Sequence, residues 1–469
     1  MKSASAESGS FRDRNGRIYY ESERVLRGIS AQALANWKML SSTKFFGEAI
    51  SSRTIVRTEE SVFTPDENPG SINKWTAVLE HEKIPFVSYP YEWPFGMLRD
   101  AALQQLDLLA SALSENMTLK DASSFNTQWF GAMPVFIDVP SFEKYIDGTP
   151  WIGYRQFCEL FLYPLMLMAY KNISYQPLLR GKIEGITPQD CNNIFSWRDR
   201  LRSGVFMHVY LQSKLQSGFA DSGRQVKKEI QSSGFSKELI LSNLRKLRRI
   251  ITNLEWKQAS SQWSDYAKNT SYTELDTEKK IDFVKSVIGE RKRALVWDLG
   301  CNTGRYSRIA SENSEYVVAM DSDHLAVEYL YRELRGEFNR KILPLVVNLA
   351  DPSPNLGWRC KERKELADRG KPELILALAL VHHMAISANI PIADFIDWLA
   401  SMGNEVIIEF VSKEDPMAQR LLRNKEDQYD DYDEGEFVEC LRNHFKHVRK
   451  EPLSSGTRSL YHTREPLRT

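Results

Sequence analysis

From residue 294 onward the chain alternates between short, nearly continuous apolar runs and amphipathic stretches. Five runs read as strands, at 294–299, 316–321, 342–348, 374–380 and 404–411. Unbroken apolar runs of this length are the signature of parallel strands buried on both faces. Between them lie helical patterns at 305–311, 325–336, 392–401 and 417–424. Strand and helix alternating at this spacing predict a doubly wound α/β sheet. A further helix at 434–443 precedes two strands, 447–452 and 459–463. These flank Ser454-Ser455-Gly456-Thr457, a hairpin turn. The expected C-terminal domain, 263–469, is therefore α/β, with five parallel strands closed by an antiparallel pair.

Upstream the pattern is less regular. Residues 1–10 are small and polar without an apolar core, which predicts a disordered start rather than a signal peptide. Residues 11–195 mix strand-like runs (85–89 and 135–138) with a helix at 97–113 and read as an α+β domain. The longest apolar run, 161–170, is too short to span a bilayer and predicts a buried helix. A mostly helical connector follows over 196–262. Its end holds an amphipathic helix, 238–254, with Leu239, Ile240, Leu244, Leu247, Ile250 and Ile251 set among basic residues. That basic face reads as solvated surface rather than a nucleic-acid stripe.

Bulk composition narrows the function classes. The 469 residues allow two or three domains. Acidic and basic residues balance at 62 each, against the net basic charge of most nucleic-acid binders. Five scattered cysteines without Cys-x-x-Cys spacing argue against a disulfide scaffold or zinc site and fit a reducing cytoplasm.

Candidate chemistry concentrates where the first C-terminal strand ends. Val296-Trp297-Asp298-Leu299-Gly300-Cys301-Asn302-Thr303-Gly304 carries Asp-x-Gly-x-x-x-Gly between a strand and a helix. Glycines there tolerate positive φ and let backbone approach a ligand, and the carboxyl end of a strand is where open α/β sheets bind ligands. About 20 residues on, Asp321 ends the second strand, where an acidic side chain can accept both hydroxyls of a ribose. Asp323 is the near alternative. The Gly-x-Gly-x-x-Gly of dinucleotide enzymes is absent, because Asn302 and Arg305 stand in its place.

This turn resembles motif I of the class I S-adenosylmethionine-dependent methyltransferases, and the sheet predicted around it resembles their Rossmann-like fold. The resemblance implies S-adenosylmethionine as cofactor, held by Asp298, Gly300, Cys301, Asn302, Gly304, Asp321, Ser322, Asn348 and Leu349. Asn348 stands where an acidic residue is expected against adenine, and Asp351 is its alternative. The resemblance also implies that His382 and His383, after the fourth strand, and Glu409, at the end of the fifth, face cofactor and acceptor, with catalytic roles. A histidine near neutral pKa can take a proton from a hydroxyl or amine. Trp263-Ser264-Asp265-Tyr266 and Ser271-Tyr272 read as a lid over the cofactor or as a connector. The acceptor expected is an oxygen or nitrogen of a small molecule or carrier-linked product. The oligomeric state stays open.

A second constellation lies in the N-terminal half. Asp121 and Asn126 have Asp-x-x-x-x-Asn spacing, and an apolar strand twelve residues later ends in Asp138. This is similar to the catalytic segment of protein-kinase-like and aminoglycoside-phosphotransferase-like folds. That resemblance implies Asp121 as base and Asn126 and Asp138 as metal ligands. A glycine-rich loop and a phosphate-pairing lysine are not visible in the sequence. The alternative functions are thus a kinase-like phosphotransferase or pseudokinase with a regulatory S-adenosylmethionine-binding domain, or a non-catalytic S-adenosylmethionine-binding scaffold. Tyr89-Pro90-Tyr91-Glu92-Trp93, Leu119-Lys120-Asp121-Ala122-Ser123, the motif I turn, Leu378-Ala379-Leu380-Val381-His382-His383 and Ile408-Glu409-Phe410-Val411 together resemble a family of large bacterial methyltransferases related to a nodulation protein, NoeA.

Overall fold

The computed structural model describes residues 4–61, 75–220, 236–257, 273–423, 425 and 428–467. By internal contacts the chain forms two compact units. Met1–Trp129, Pro134–Lys257 and Asn355–Arg363 make the first, and Phe130–Met133, Gln258–Pro354 and Lys364–Thr469 the second.

The first unit opens with an antiparallel sheet of β1 (Ser5–Ala6), β2 (Gly16–Glu21), β3 (Arg24–Ile29), β4 (Thr58–Glu60) and β5 (Ala77–His81), in the order β1-β2-β3-β5-β4. Ser5 and Ala6, in the stretch expected to be disordered, pair with Tyr20 and Tyr19. The helices Ala31–Ser41 and Lys44–Ser51 lie between β3 and β4 in sequence. The strand expected at 85–89 does not form. Gln128 answers both backbone groups of Ser88, donating to its carbonyl at 2.9 Å and accepting from its N–H at 2.9 Å. No ladder partner is then needed.

The long helix Phe95–Ser114 buries twelve of its residues, Leu98, Leu106 and Leu109 among them. Two short two-stranded sheets follow. One pairs β6 (Met117–Leu119) with β9 (Phe142–Lys144), and the other joins β7 (Thr127–Phe130) to β8 (Met133–Phe136). The apolar run at 161–170 lies in a buried π-turn, Cys158–Leu162, continued by the helix Tyr163–Lys171. The basic helix Lys237–Thr252 buries Ile240, Leu244, Leu247 and Ile251.

Asn355–Arg363 belongs to this unit although its neighbours in sequence do not. Leu356 and Arg363 close it by a bridge. The buried Glu362 carboxylate accepts from the Trp358 N–H at 2.7 Å and from Arg12 Nε and Nη2 at 2.7 and 2.8 Å. The Arg363 guanidinium stacks 4.2 Å from the Phe125 ring centroid.

In the second unit, β10 (Arg293–Leu299), β11 (Ser314–Asp321), β12 (Ile342–Val346), β13 (Leu374–Ala377) and β14 (Glu405–Val411) are parallel, and β15 (Phe445–Pro452) and β16 (Arg458–Pro466) are antiparallel. The sheet order is β12-β11-β10-β13-β14-β16-β15. The direction of winding reverses between β10 and β13, and such a reversal opens a crevice at the carboxyl ends of the strands. The helices Glu274–Glu290, Arg305–Glu312, His324–Gly336, Ile392–Met402, Pro416–Leu422 and Glu434–His444 accompany the strands.

Ionic contacts lock the amino ends of the parallel strands β10 and β14. Buried Arg293 donates to Glu405 at 2.9 Å and to the carbonyls of Val287 and Ile288, the last turn of Glu274–Glu290. His462 meets the other Glu405 oxygen at 2.7 Å. These bonds satisfy helix-end carbonyls that would otherwise be orphaned. No helix among the described residues is long and apolar enough to cross a membrane.

Candidate functional site

The turn after β10 is tied to the end of β11. Gly300 and Gly304 hold φ of 76° and 82°, and Asn302 is left-handed at 49°, a conformation that asparagine adopts more readily than most residues. The N–H groups of Gly300 and Cys301 donate to the Met320 carbonyl at 2.8 and 3.0 Å. The Asn302 N–H donates to Asp321 Oδ2 at 2.8 Å, while Asp321 Oδ1 accepts from the Asp323 N–H at 2.9 Å. A Cβ on Gly304 would lie 2.5 Å from Leu330 Cδ1, so this glycine also permits the helix His324–Gly336 to pack.

Asp323 is committed elsewhere. It caps that helix, accepting from Leu325 and Ala326. Ser322 is exposed beside Asp321. Asp298 is buried beneath the turn and accepts from Ser307 Oγ at 2.5 Å. Burial, with Asp321 nearby, pushes its carboxyl up to about 6. Burial also raises the Asp321 carboxyl.

β13 ends at Ala377, three residues short of the expected end, because Ala379 takes a left-handed φ of 51°. For alanine that conformation is strained and must be held by its surroundings. The Ala379 N–H donates to Glu409 Oε2 at 2.9 Å. Glu409 is fully buried in β14 and carries two further partners, Lys280 Nζ at 2.5 Å and Arg458 Nη1 at 3.2 Å. Arg458 in turn forks onto Asp415 at 2.7 and 3.0 Å.

Beyond the left-handed turn stands His382, which is 0 % exposed, and neither of its ring nitrogens has a partner among the described residues. The His383 ring packs against it, with centroids 4.1 Å apart. Burial holds His382 well below the usual imidazole range, helped by His383, Arg458 and Lys280. Burial and Arg458 lower His383 to about 4. Both imidazoles are thus neutral near pH 7.

After β12, Asn348 is exposed, and its side-chain carbonyl accepts from the Ala350 N–H at 3.1 Å. Leu349 beside it is half-buried. The segment 263–272, expected as lid or connector, lies outside the described residues, which resume at Thr273, the cap of the helix Glu274–Glu290.

The fold of the first unit brings Asn126 and Asp138 together, with Asn126 Nδ2 donating to Asp138 Oδ2 at 3.4 Å. The other Asp138 oxygen pairs with Arg27 at 2.6 Å. Burial and the nearby Asp138 raise the Asp121 carboxyl. Among the described residues no group of three His, Cys, Asp or Glu side chains is placed to hold a metal ion.

The nodulation protein NoeA of Rhizobium meliloti (strain 1021) is 33% identical to this chain over 463 residues, covering 97% of this chain and 95% of that protein. The chain belongs to the NoeA family. No family model matches it. Among solved structures, the N-methyltransferase NodS from Bradyrhizobium japonicum WM9 is similar over 41% of this chain and 98% of that one, with 8% identity and a TM-score of 0.30. The magnesium protoporphyrin IX methyltransferase ChlM from Synechocystis PCC 6803 covers 43% of this chain and 93% of its own, with 18% identity and a TM-score of 0.31. The bifunctional kinase-methyltransferase WbdD covers 44% and 42%, with 17% identity and a TM-score of 0.30.

Three residues of the candidate site in this NoeA-family chain carry no motif in the sequence. Lys280 is one of several lysines on an amphipathic helix, Ser307 one of many serines, and Arg458 follows a hairpin turn. The signal that could have found Lys280 was its position. It sits on the inward face with Phe283, Val284 and Val287, where a lysine needs a buried counter-charge. The unit also holds a cavity of about 500 Å³ lined by Ala385, Asn389, Pro391, Lys425, Tyr429 and Tyr432. Ala385 belongs to the π-turn His383–Ser387, which begins at His383.

Proposed function

We propose that the chain is an S-adenosylmethionine-dependent methyltransferase acting on an oxygen or nitrogen of a small or carrier-linked acceptor. The observation that carries this reading is the Asn302–Asp321 bond. It ties a left-handed glycine turn to an acidic strand end at the point where the sheet's winding reverses. The parallel strands closed by an antiparallel pair are the sheet expected from motif I.

The residues present suit the cofactor. Gly300, Cys301 and Asn302 would offer closely approachable backbone. The Asp321 carboxylate, already oriented by two N–H groups, keeps lone pairs for ribose hydroxyls. Ser322, Asn348 and Leu349 would border the adenine. Asp298 would supply negative charge near the methionine half. When bound, S-adenosylmethionine supplies a methyl group already activated on sulfonium, so the protein's task is alignment and, where needed, proton removal.

Of the three candidates, His382 has both ring nitrogens open among the described residues, which favours it for proton removal, although burial makes it a weaker base than the histidine of near-neutral pKa expected from the sequence. Glu409 is held by two cations and a backbone N–H, which suits it to holding structure rather than taking a proton. The cavity beside the π-turn is in the size range of small-molecule sites and supports a small acceptor.

For the first unit, the joining of Asn126 and Asp138 favours a kinase-like ancestry. The Arg27 guanidinium already occupies the Asp138 carboxylate, which disfavours phosphotransfer by this unit. We assign this unit a non-catalytic role.

The test is calorimetry of the full chain with S-adenosylhomocysteine. Binding by the wild type and its loss in Gly300→Arg and Asp321→Ala are expected. A wild type that does not bind would remove the cofactor assignment, and equal binding by both variants would remove the assignment of the site.

A further inference from the structure

The Lys280–Glu409 pair is costly, and the costs need a reason. Both side chains are buried, at 4 % and 0 % exposure, and desolvating two charges costs several kcal/mol per ion, on the order of what their attraction returns. An apolar pair of the same volume would pack as well. Glu409, however, is also the acceptor for the N–H of Ala379, a residue in a left-handed conformation three positions ahead of His382. Lys280 lies 5.0 Å from the centroid of Tyr306, on the helix that follows the glycine turn, so it faces both the turn and the histidine segment.

We propose that Lys280 is a positioning residue. Through Glu409 it fixes the left-handed turn at Ala379, and with Arg458 it sets the electrostatic field in which His382 stands. The proposal rests on the methyltransferase reading for what His382 does, but not for where it is held.

Glu409 can keep the Ala379 N–H only while its carboxylate is oriented, and Lys280 and Arg458 approach it on separate oxygens and fix that orientation. The four charges Lys280, Arg458, Glu409 and Asp415 sum to zero, so removing any one leaves a net charge beside His382. The sign of that charge depends on which is removed. The His383 ring packs against His382, and the cations Arg458 on β16 and Lys280 on Glu274–Glu290 act on it at longer range.

Two full-length variants test this. Lys280→Met removes a positive charge and leaves Glu409 under-neutralised. Glu409→Gln keeps an oxygen for Ala379 but removes a negative charge. The chain contains eight histidines, and His382 and His383 are assigned in a ring-labelled sample by loss of their signals in His382→Gln and His383→Gln. Nuclear magnetic resonance then follows their titration. The His382 midpoint is expected to rise in Lys280→Met and to fall in Glu409→Gln, separating the two by about half a pH unit or more. Lys280→Arg should return the wild-type signal.

Shifts of the same sign in both variants, or none, overturn the proposal, because a side chain that merely fills space does not reverse sign with charge. If Lys280→Met does not fold, the fall in Glu409→Gln and the rescue in Lys280→Arg decide alone. S-adenosylhomocysteine binding is measured on the same samples. A wild type that fails to bind it removes the methyltransferase reading, and the titrations still decide the role of Lys280.

Discussion

The backbone N–H of Asn302 points at the carboxylate of Asp321, 2.8 Å away. One side chain at the end of β11 thereby shapes the loop after β10, and the proposed function gives the same carboxylate to the cofactor's ribose. Asp321→Ala should weaken S-adenosylhomocysteine binding at least about tenfold, on the order of 1.4 kcal/mol. Calorimetry reads this directly, and an affinity within about twofold of wild type would show that Asp321 only shapes the loop.

Asp298 gives the site a pH dependence with a definite sign. Its carboxyl is pushed up to about 6, so it gains its negative charge as pH rises through that value. A cationic cofactor favours the ionised form. Affinity for S-adenosylmethionine should therefore increase between about pH 5 and pH 7 and flatten above. Asp298→Asn removes the titrating group and should remove the slope. An equal slope in the variant would assign the dependence to another residue.

Gly304→Ala meets two obstacles, a φ of 82° and a Leu330 methyl group 2.5 Å from the new Cβ. Overpacking of this kind costs about 1–3 kcal/mol. Urea unfolding should show a lower midpoint with an unchanged slope. Leu330→Ala in the same background should recover part of the loss, since neighbours that share a clash are not additive.

At the amino ends of β10 and β14, His462 and Arg293 hold the Glu405 carboxyl down to about 2, against the opposing effect of burial. A depressed folded-state value means the contribution is complete above the unfolded-state carboxylate range, about 4.3. It is lost as pH falls through about 2. Thermal unfolding should thus show a decline between those limits that is shallower in Glu405→Gln. Arg293→Met leaves the buried Glu405 carboxylate with only His462 and the more distant Arg291, and should cost up to about 3 kcal/mol at neutral pH.

Much of the second unit was legible because parallel strands covered on both faces advertise themselves. The runs at 294–299, 316–321 and 404–411 lie within two residues of β10, β11 and β14. The exception is instructive. Leu374 to Leu380 is apolar throughout, yet the strand stops at Ala377 because Glu409, thirty residues on, captures the Ala379 N–H. Apolarity records burial and not backbone direction. The run at 85–89 fails for a similar reason, since a single glutamine replaces the neighbouring strand. At the site, Asp298, Gly300, Gly304 and Asp321 stood out because their spacing is local. Lys280 and Arg458 did not, because their partner Glu409 lies 129 and 49 residues away, and only an inward-facing position on its helix marks Lys280.

The segment Asn355–Arg363 has a consequence for how this protein is inherited and handled. It enters from between β12 and β13 but finds its carboxylate partner at Arg12 and its aromatic partner at Phe125. Residues Phe130–Met133 make the reverse loan, with the Gly131 N–H donating to the Tyr316 hydroxyl at 3.0 Å. Each half is completed by a guest from the other, so no single cut in the gene yields two self-sufficient proteins. A fragment begun near residue 264 would keep Glu362 and lose the guanidinium that neutralises it. A division of the chain along its two units would have to carry Asn355–Arg363 and Phe130–Met133 across the cut.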